Sequence, residues 1–321
     1  MSTPLKDPQK YRRSPGRRSA AKAAEAPATV KGTGVARRRR AQIAGGWREF
    51  ASTRAGLVGL VLLLAVVVIA LLTPILEPLD NLNVVRVTAG QNEPPRGAHI
   101  LGTDPAGRDV LGMLIWGSRI SLLVGFAATA VSMVIGTVVG MAAGHFTGWL
   151  QAVIMRIIDF FLVIPGLVLA IVLSSVLSRG VLTIIIAIGV TSWAATARVV
   201  RAQTLTIESR AYIERSRALG AGDGHILGKH VLPAVLPLVL ANTTLTVGSA
   251  IIAESTLSFL GLGDPTVFSW GSMLKSALDT GAATAGFWWF VLPPGVAIVL
   301  VVLCFTMVGR ALESVVNPTL R

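Results

Sequence analysis

The sequence predicts an all-α polytopic membrane protein with six transmembrane helices, and three observations predict it. Hydrophobic residues make up 53% of the 321-residue chain and charged ones only 14%. The apolar runs between charges are repeatedly long enough to cross a bilayer, which takes about 20 residues. The formal charge of +13 is concentrated at the start, where residues 1–55 hold 14 Lys/Arg against 3 Asp/Glu. That split describes a basic tail on a near-neutral membrane body and leaves the folded part without a nucleic-acid-binding surface.

Residues 1–55 carry few large apolar side chains and are expected to be a mostly disordered cytoplasmic tail that sets topology. The membrane body, 56–321, opens with a span over 56–76 that leads outward. Residues 77–98 read as external. The following segment, 99–118, holds Asp104 as a cap for a helix starting at Pro105, with Val110, Leu111, Leu114 and Ile115 on one face. Such a helix would lie along the outer interface, with Trp116 as its anchor. A metal or catalytic role for His99, Asp104 and Asp109 is the sharper alternative to caps and structural ion pairs.

The second span, 119–143, repeats a small residue every fourth position: Ala128, Ser132, Gly136, Gly140 and, just beyond it, Gly144. In lipid such a ridge brings another helix to backbone contact. The third span, 152–176, is expected to kink at Pro165, with Arg156 and Asp159 pairing one turn apart. The fourth, 181–197, follows a short loop. The fifth, 236–257, places Asn242, Thr246 and Ser249 along one strip with Glu254 beyond, the best candidates for a polar path. Residues 258–287 return outside, and the sixth span, 289–309, is opened by Pro293 and Pro294.

Between spans four and five lies the polar loop 198–235, with six Lys/Arg and three acids. Counting spans from the tail puts it in the cytoplasm, and its charge agrees. It reads as two short helices joined by an elbow. Tyr212, Ser216 and Leu219 recur at helical spacing on the first, Gly220 supplies a left-handed stop, Asp223 caps the second, and Pro233 ends it. Ile226, Leu227, His230 and Val231 give the second helix its apolar stripe.

Several chemistries lack raw material. Cys304 is the sole cysteine, and the histidines are scattered at 99, 145, 225 and 230, so no disulfide or metal site is expected. The stretch 223–230 is not a phosphate loop, because Asp223 stands where glycine is needed and His230 where Ser or Thr is needed. No activated nucleophile or paired carboxylate emerges, so the chain reads as no enzyme.

The elbow resembles the signature loop of bacterial ABC-importer permeases, which runs Glu-Ala-Ala, three residues, Gly, nine residues, Ile, any residue, Leu-Pro. Glu214, Gly220, Leu232 and Pro233 match in register, while Arg215 and Ser216 replace the alanines and His230 the isoleucine. Two further stretches, His99 to Ser121, which holds Gly102-Thr103-Asp104 and Gly107-Arg108-Asp109, and the run 254–265 with Trp270-Gly-Ser-Met-Leu274, look like the dipeptide/oligopeptide permease family, C-type subunit. The closing residues 317–321 also resemble the family's ending, with Asn317 in place of an acid.

The resemblance implies a type I importer permease in the bacterial cytoplasmic (inner) membrane, with both termini in the cytoplasm. It implies a homologous B-type permease, one or two ATPase subunits that hold ATP and Mg, and an extracytoplasmic peptide-binding protein as partners. Tyr212, Glu214, Arg215, Leu219, Gly220, Leu232 and Pro233 would make the ATPase coupling segment. Short peptides are the expected cargo; a nickel complex, glutathione or haem is the alternative within the class, and a secondary transporter or a helix-turn-helix regulator lies outside it.

Overall fold

A computed structural model of the chain describes residues 47–97 and 99–316, and all of them belong to one unit, Gly46–Arg321. Most of the basic tail and the ending at 317–321 lie outside the described residues. Regular structure among the described residues is helical, apart from two isolated β-bridges, Arg96 with His99 and Thr103 with Asp109. After a helical stretch at 47–52 come α1 (Arg54–Leu76), α2 (Val110–His145), α3 (Trp149–Val163), α4 (Gly166–Val176), α5 (Val181–Thr191) and α6 (Trp193–Glu208). The elbow holds α7 (Ala211–Ala218) and α8 (Asp223–Ile226), followed by a π turn (Leu227–Val231), α9 (Leu232–Phe259), α10 (Trp270–Asp279) and α11 (Trp288–Val316). Five helical stretches are long and apolar enough to span a membrane, and α3 with α4 makes a sixth if their bent pair is one span.

Helix α2, 36 residues long, is the post on which the others hang. Its small-residue ridge meets α6 so closely that a Cβ on Gly140 would lie 2.5 Å from the Ala197 carbonyl oxygen, and one on Gly144 2.7 Å from Thr204 Cβ. Gly125 receives Ile251 of α9, and Gly189 of α5 receives Val131 of α2. On the other side α1 packs on α11 through Gly56 against Ala311 and Gly59 against Met307. Close packing carries this bundle because apolar side chains gain little from one another in hydrocarbon. Much of α1 instead points outward, Val61, Leu64, Val68, Leu71 and Ile75 among its exposed side chains.

The structure corrects several expectations. No helix starts at Pro105: Gly107 adopts φ +81°, the chain turns as a loop, and α2 begins at Val110 under an Asp109 cap that accepts from the Gly112 amide at 2.8 Å. The segment 99–118 is therefore loop plus the first turns of the second span. The third span is not mildly kinked but bent by 88°. Pro165 bars its predecessor from helical angles, so Ile164 is extended and Pro165 caps α4. Asp159 pairs with Arg198 of α6 at 2.8 Å rather than with Arg156, because α6 presents a guanidinium where the expected pair is only local.

The loop expected over 198–235 is shorter, since α6 buries Val200, Thr204 and Ile207 and stays helical to Glu208. Asp223 is not a side-chain cap but the first residue of α8, behind Gly222. Pro233 does not end the second elbow helix. In the π turn the Leu232 amide reaches back to the Leu227 carbonyl, so Pro233, which has no amide, falls in the first turn of the resumed α ladder. Helix α11 likewise starts at Trp288, ahead of Pro293 and Pro294, with Phe290 fully buried in the added turn. Within the supposed outer loop 258–287 lies α10, held by the Trp270 indole donating to the Leu114 carbonyl at 3.1 Å.

Gly140→Leu is expected to lower the stability of the detergent-solubilised chain by about 3 kcal/mol or more, because the added side chain meets backbone that cannot yield. Gly228→Ala, where a Cβ meets nothing within 4 Å, is the matched control and should melt at or above the wild-type temperature.

Candidate functional site

The elbow is a knob sealed to the bundle on one side and bare on the other. Ile213 of α7 and Ile226 of α8 are fully buried and join Val231, Val235 and the ends of α2 and α6 in one apolar cluster. The opposite face presents Tyr212, Glu214, Arg215 and Leu219, with Leu219 89% exposed. Gly220 turns the chain at φ +88°, and the Ala221 amide donates to the Ser216 carbonyl, closing the end of α7. Leu232 is half-buried and Pro233 exposed at the root of α9. The His230 ring lies tilted at 59° against the Tyr212 ring, 5.8 Å between centroids, so the position where the signature has isoleucine braces the exposed tyrosine.

A polar cluster ties this knob to the spanning helices. His145, the last residue of α2, pairs through Nδ1 with Glu208 Oε1 at 2.5 Å and through Nε2 with Asp223 Oδ1 at 3.2 Å. Glu208 also pairs with Arg217 at 2.5 Å. Sequence reasoning singled out none of this cluster as a unit, and it took Asp223 only as a cap. The one local signal is that His145 directly follows the last glycine of the ridge.

The strip on α9 is partly open. The half-buried Asn242 amide donates to Thr196 Oγ1 of α6 at 3.3 Å, and the Thr246 hydroxyl donates to the Asn242 carbonyl at 3.0 Å. Ser249 is exposed. Glu254 does not continue this strip. It is 1% exposed, receives the hydroxyls of Ser121 at 2.9 Å and Ser258 at 2.8 Å, and joins α9 to α2 just where the Trp270 amide reaches Ser121.

At the far end of α2 from the elbow, the Gly102–Asp109 motif forms a clasp. Asp104, with no exposed surface, accepts from the Ala106 and Arg108 amides and from Arg108 Nε at 2.8 Å, while Arg108 Nη2 closes the fork at 2.6 Å. Thr103 bridges the Glu93 amide and the Gly90 carbonyl. Gly102 at φ +66° leaves room for Trp289, and Arg108 lies over the Phe268 ring at 5.3 Å. His99 pairs with Asp109 at 3.0 Å. The acids here are consumed by structure. Among the described residues no group of three or more His, Cys, Asp or Glu converges as a metal site would require.

Comparison with known proteins places most of the chain in one family. Residues 136–321 match the family model of binding-protein-dependent transport system inner membrane components, and residues 42–95 match that of the N-terminal transmembrane domain of oligopeptide transport permease C. The dipeptide transport system permease protein DppC of Bacillus subtilis is 38% identical, with 86% of this chain and 85% of that protein covered. The oligopeptide permease OppC of the same organism and the glutathione permease GsiD of Pectobacterium atrosepticum are each 35% identical, with 86% of this chain and 90% of theirs covered. Among solved structures, an inward-facing form of the MetNI methionine ABC transporter matches with a TM-score of 0.52 at 23% identity, covering 64% of this chain and 97% of that one.

Asp104→Ala is expected to destabilise the loop by about 3 kcal/mol, since it leaves Arg108 and two amides without their acceptor. Limited proteolysis should then cut within residues 77–109 well before the wild-type chain is cut.

Proposed function

The chain belongs to the binding-protein-dependent transport system inner membrane components, in their dipeptide/oligopeptide permease C branch, and from that premise we propose that it carries short peptides as a non-catalytic subunit of an ATP-driven importer. The observation that supports this most directly is the elbow, whose exposed Tyr212, Glu214, Arg215 and Leu219 ride on a base sealed by Ile213 and Ile226. A rigid knob with a bare tip is suited to seating in a groove of an ATPase subunit, because a floppy loop would absorb the displacement it must pass on.

In this reading ATP and Mg bind to the partner ATPases, and their closure draws the elbow inward on the cytoplasmic side. Spans on either side of it, α5–α6 and α9, tilt with it and open the path outward. A homologous B-type permease supplies the facing wall, and an extracytoplasmic binding protein delivers the peptide. Asn242, Thr246 and Ser249 line this chain's wall, offering hydroxyl and amide groups to a peptide backbone. Glu254 serves instead as the polar tie between α9 and α2. The relative named for glutathione supports a second reading, in which the cargo is that small thiol peptide.

Affinity purification of the tagged chain from native membranes tests the assembly: a second permease, an ATPase and a binding protein should accompany it. Proteoliposomes of that complex should take up labelled dipeptides only with ATP, and uptake without ATP would overturn the reading. Gly220→Val should insert and assemble, since a Cβ there meets no atom within 4 Å, yet it forces a β-branched residue to φ +88°. Its complex should keep hydrolysing ATP while uptake falls several-fold.

A further inference from the structure

The coupling reading accounts for the exposed tip of the elbow but leaves the charged cluster at its base unexplained. That cluster is unusual in reach. His145 lies 63 residues before Glu208 in sequence, yet it stands between that residue and Asp223. One imidazole thus joins the end of α2, the end of α6 and the start of α8, while Glu208 joins the end of α6 to Arg217 of α7.

Two neighbouring contacts serve the same junction. The Arg201 Nε–H donates to the Ala143 carbonyl at 3.3 Å, satisfying one of the last carbonyls of α2. Gly144 lies so close to α6 that a Cβ would stand 3.0 Å from the Arg201 carbonyl. The last turn of α2 is therefore fixed to α6 before the elbow begins, and His145 is the residue that carries the fixation on into both elbow helices. The imidazole is almost wholly enclosed, with 2% of its surface exposed, and Glu208 nearly so, so that arm of the bridge is shielded from competing water, while Asp223 closes the other arm from the exposed surface.

We propose that His145, with Glu208, Arg217 and Asp223, is a positioning device that locks the elbow to α2 and α6, so that displacement of the elbow moves both helices as one body. The proposal rests on reading the elbow as the ATPase-coupling segment and adds what that reading lacks, a mechanical connection to the central helix. Without the bridge α7 remains attached to the end of α6 by the covalent chain, the Arg210 amide donating to the Ile207 carbonyl and apolar contacts, and α8 by its continuous helix into α9. None of these pairs the elbow with His145 at the last turn of α2.

The test uses the full chain. Spin labels at Leu219 and Trp149, both exposed, report the elbow's orientation against the start of α3 in the purified chain. His145→Gln keeps two N–H donors but on a single nitrogen, in place of the two ring nitrogens that face Glu208 and Asp223 from different edges, and its distance distribution should broaden. In proteoliposomes of the complete complex supplied with binding protein and labelled dipeptides, ATP hydrolysed per peptide should rise about fivefold, with the ATPase still co-purifying. Asp223→Asn, at a site whose side chain is 66% exposed, should shift both readouts in the same direction and keeps the test open if His145→Gln fails to fold.

Distance distributions as narrow as wild type in the folded variants would overturn the proposal. Broadened distributions with an unchanged ATP-to-peptide ratio would also overturn it, because the bridge would then be structural alone. A wild-type complex without ATP-dependent uptake would overturn the functional reading, while the distance measurement would still decide whether the bridge locks the elbow.

Discussion

The backbone approach of α2 to α6 is the constraint on which the rest of the molecule depends. A soluble bundle could rely on water to drive large side chains together, but in hydrocarbon Leu against Leu gains little over Leu against lipid. Gly136, Gly140 and Gly144 therefore let Trp193, Ala197, Arg201 and Thr204 come to contact distance with peptide groups. With that seam fixed, α9 settles on the first half of α2 through Ile251 and the elbow beneath its second half through the apolar cluster of Ile213 and Ile226. Substituents along the seam are set by the space between two backbones.

A few polar groups inside the bundle tie separate elements together toward the two ends of α2. Glu254, Ser121 and the Trp270 amide do so near one end of α2, and His145, Glu208 and Asp223 at the other. The Asp104–Arg108 fork secures the loop leading into the helix. Buried polar groups of this kind are costly unless fully paired, and these are paired from several elements at once. The chain thus separates two jobs along one axis, with loop and α10 packing at one end and elbow attachment at the other.

Much of this was legible in the sequence because it is local. Apolar runs gave the spans, the four-residue repeat gave the seam, and Gly220 gave the left-handed turn. The losses were of two kinds. Some were backbone decisions made by a single residue: Gly107 at φ +81° delayed the start of α2, and Pro165 made a sharp bend of an expected kink. Others were pairings across long separations, which spacing cannot reveal. Arg156 stands one turn from Asp159, yet the acid goes to Arg198, 39 residues on. The tie between Glu254 and Ser121 was hidden because the two lie 133 residues apart. The relation of His145 to Glu208 and Asp223 was hidden for the same reason.

The π turn at Leu227–Val231 has a bearing on how this chain can change over time. It joins the elbow to α9, whose Asn242 amide donates to Thr196. A π turn holds one residue more than an α turn, so losing one residue there would return the stretch to a plain α-helix and leave the helix faces on either side in nearly the same phase. A deletion in the regular turns of α9 would instead swing the Asn242–Ser249 strip by about 100°. This joint can thus gain or lose a residue without redirecting the helix face that follows it.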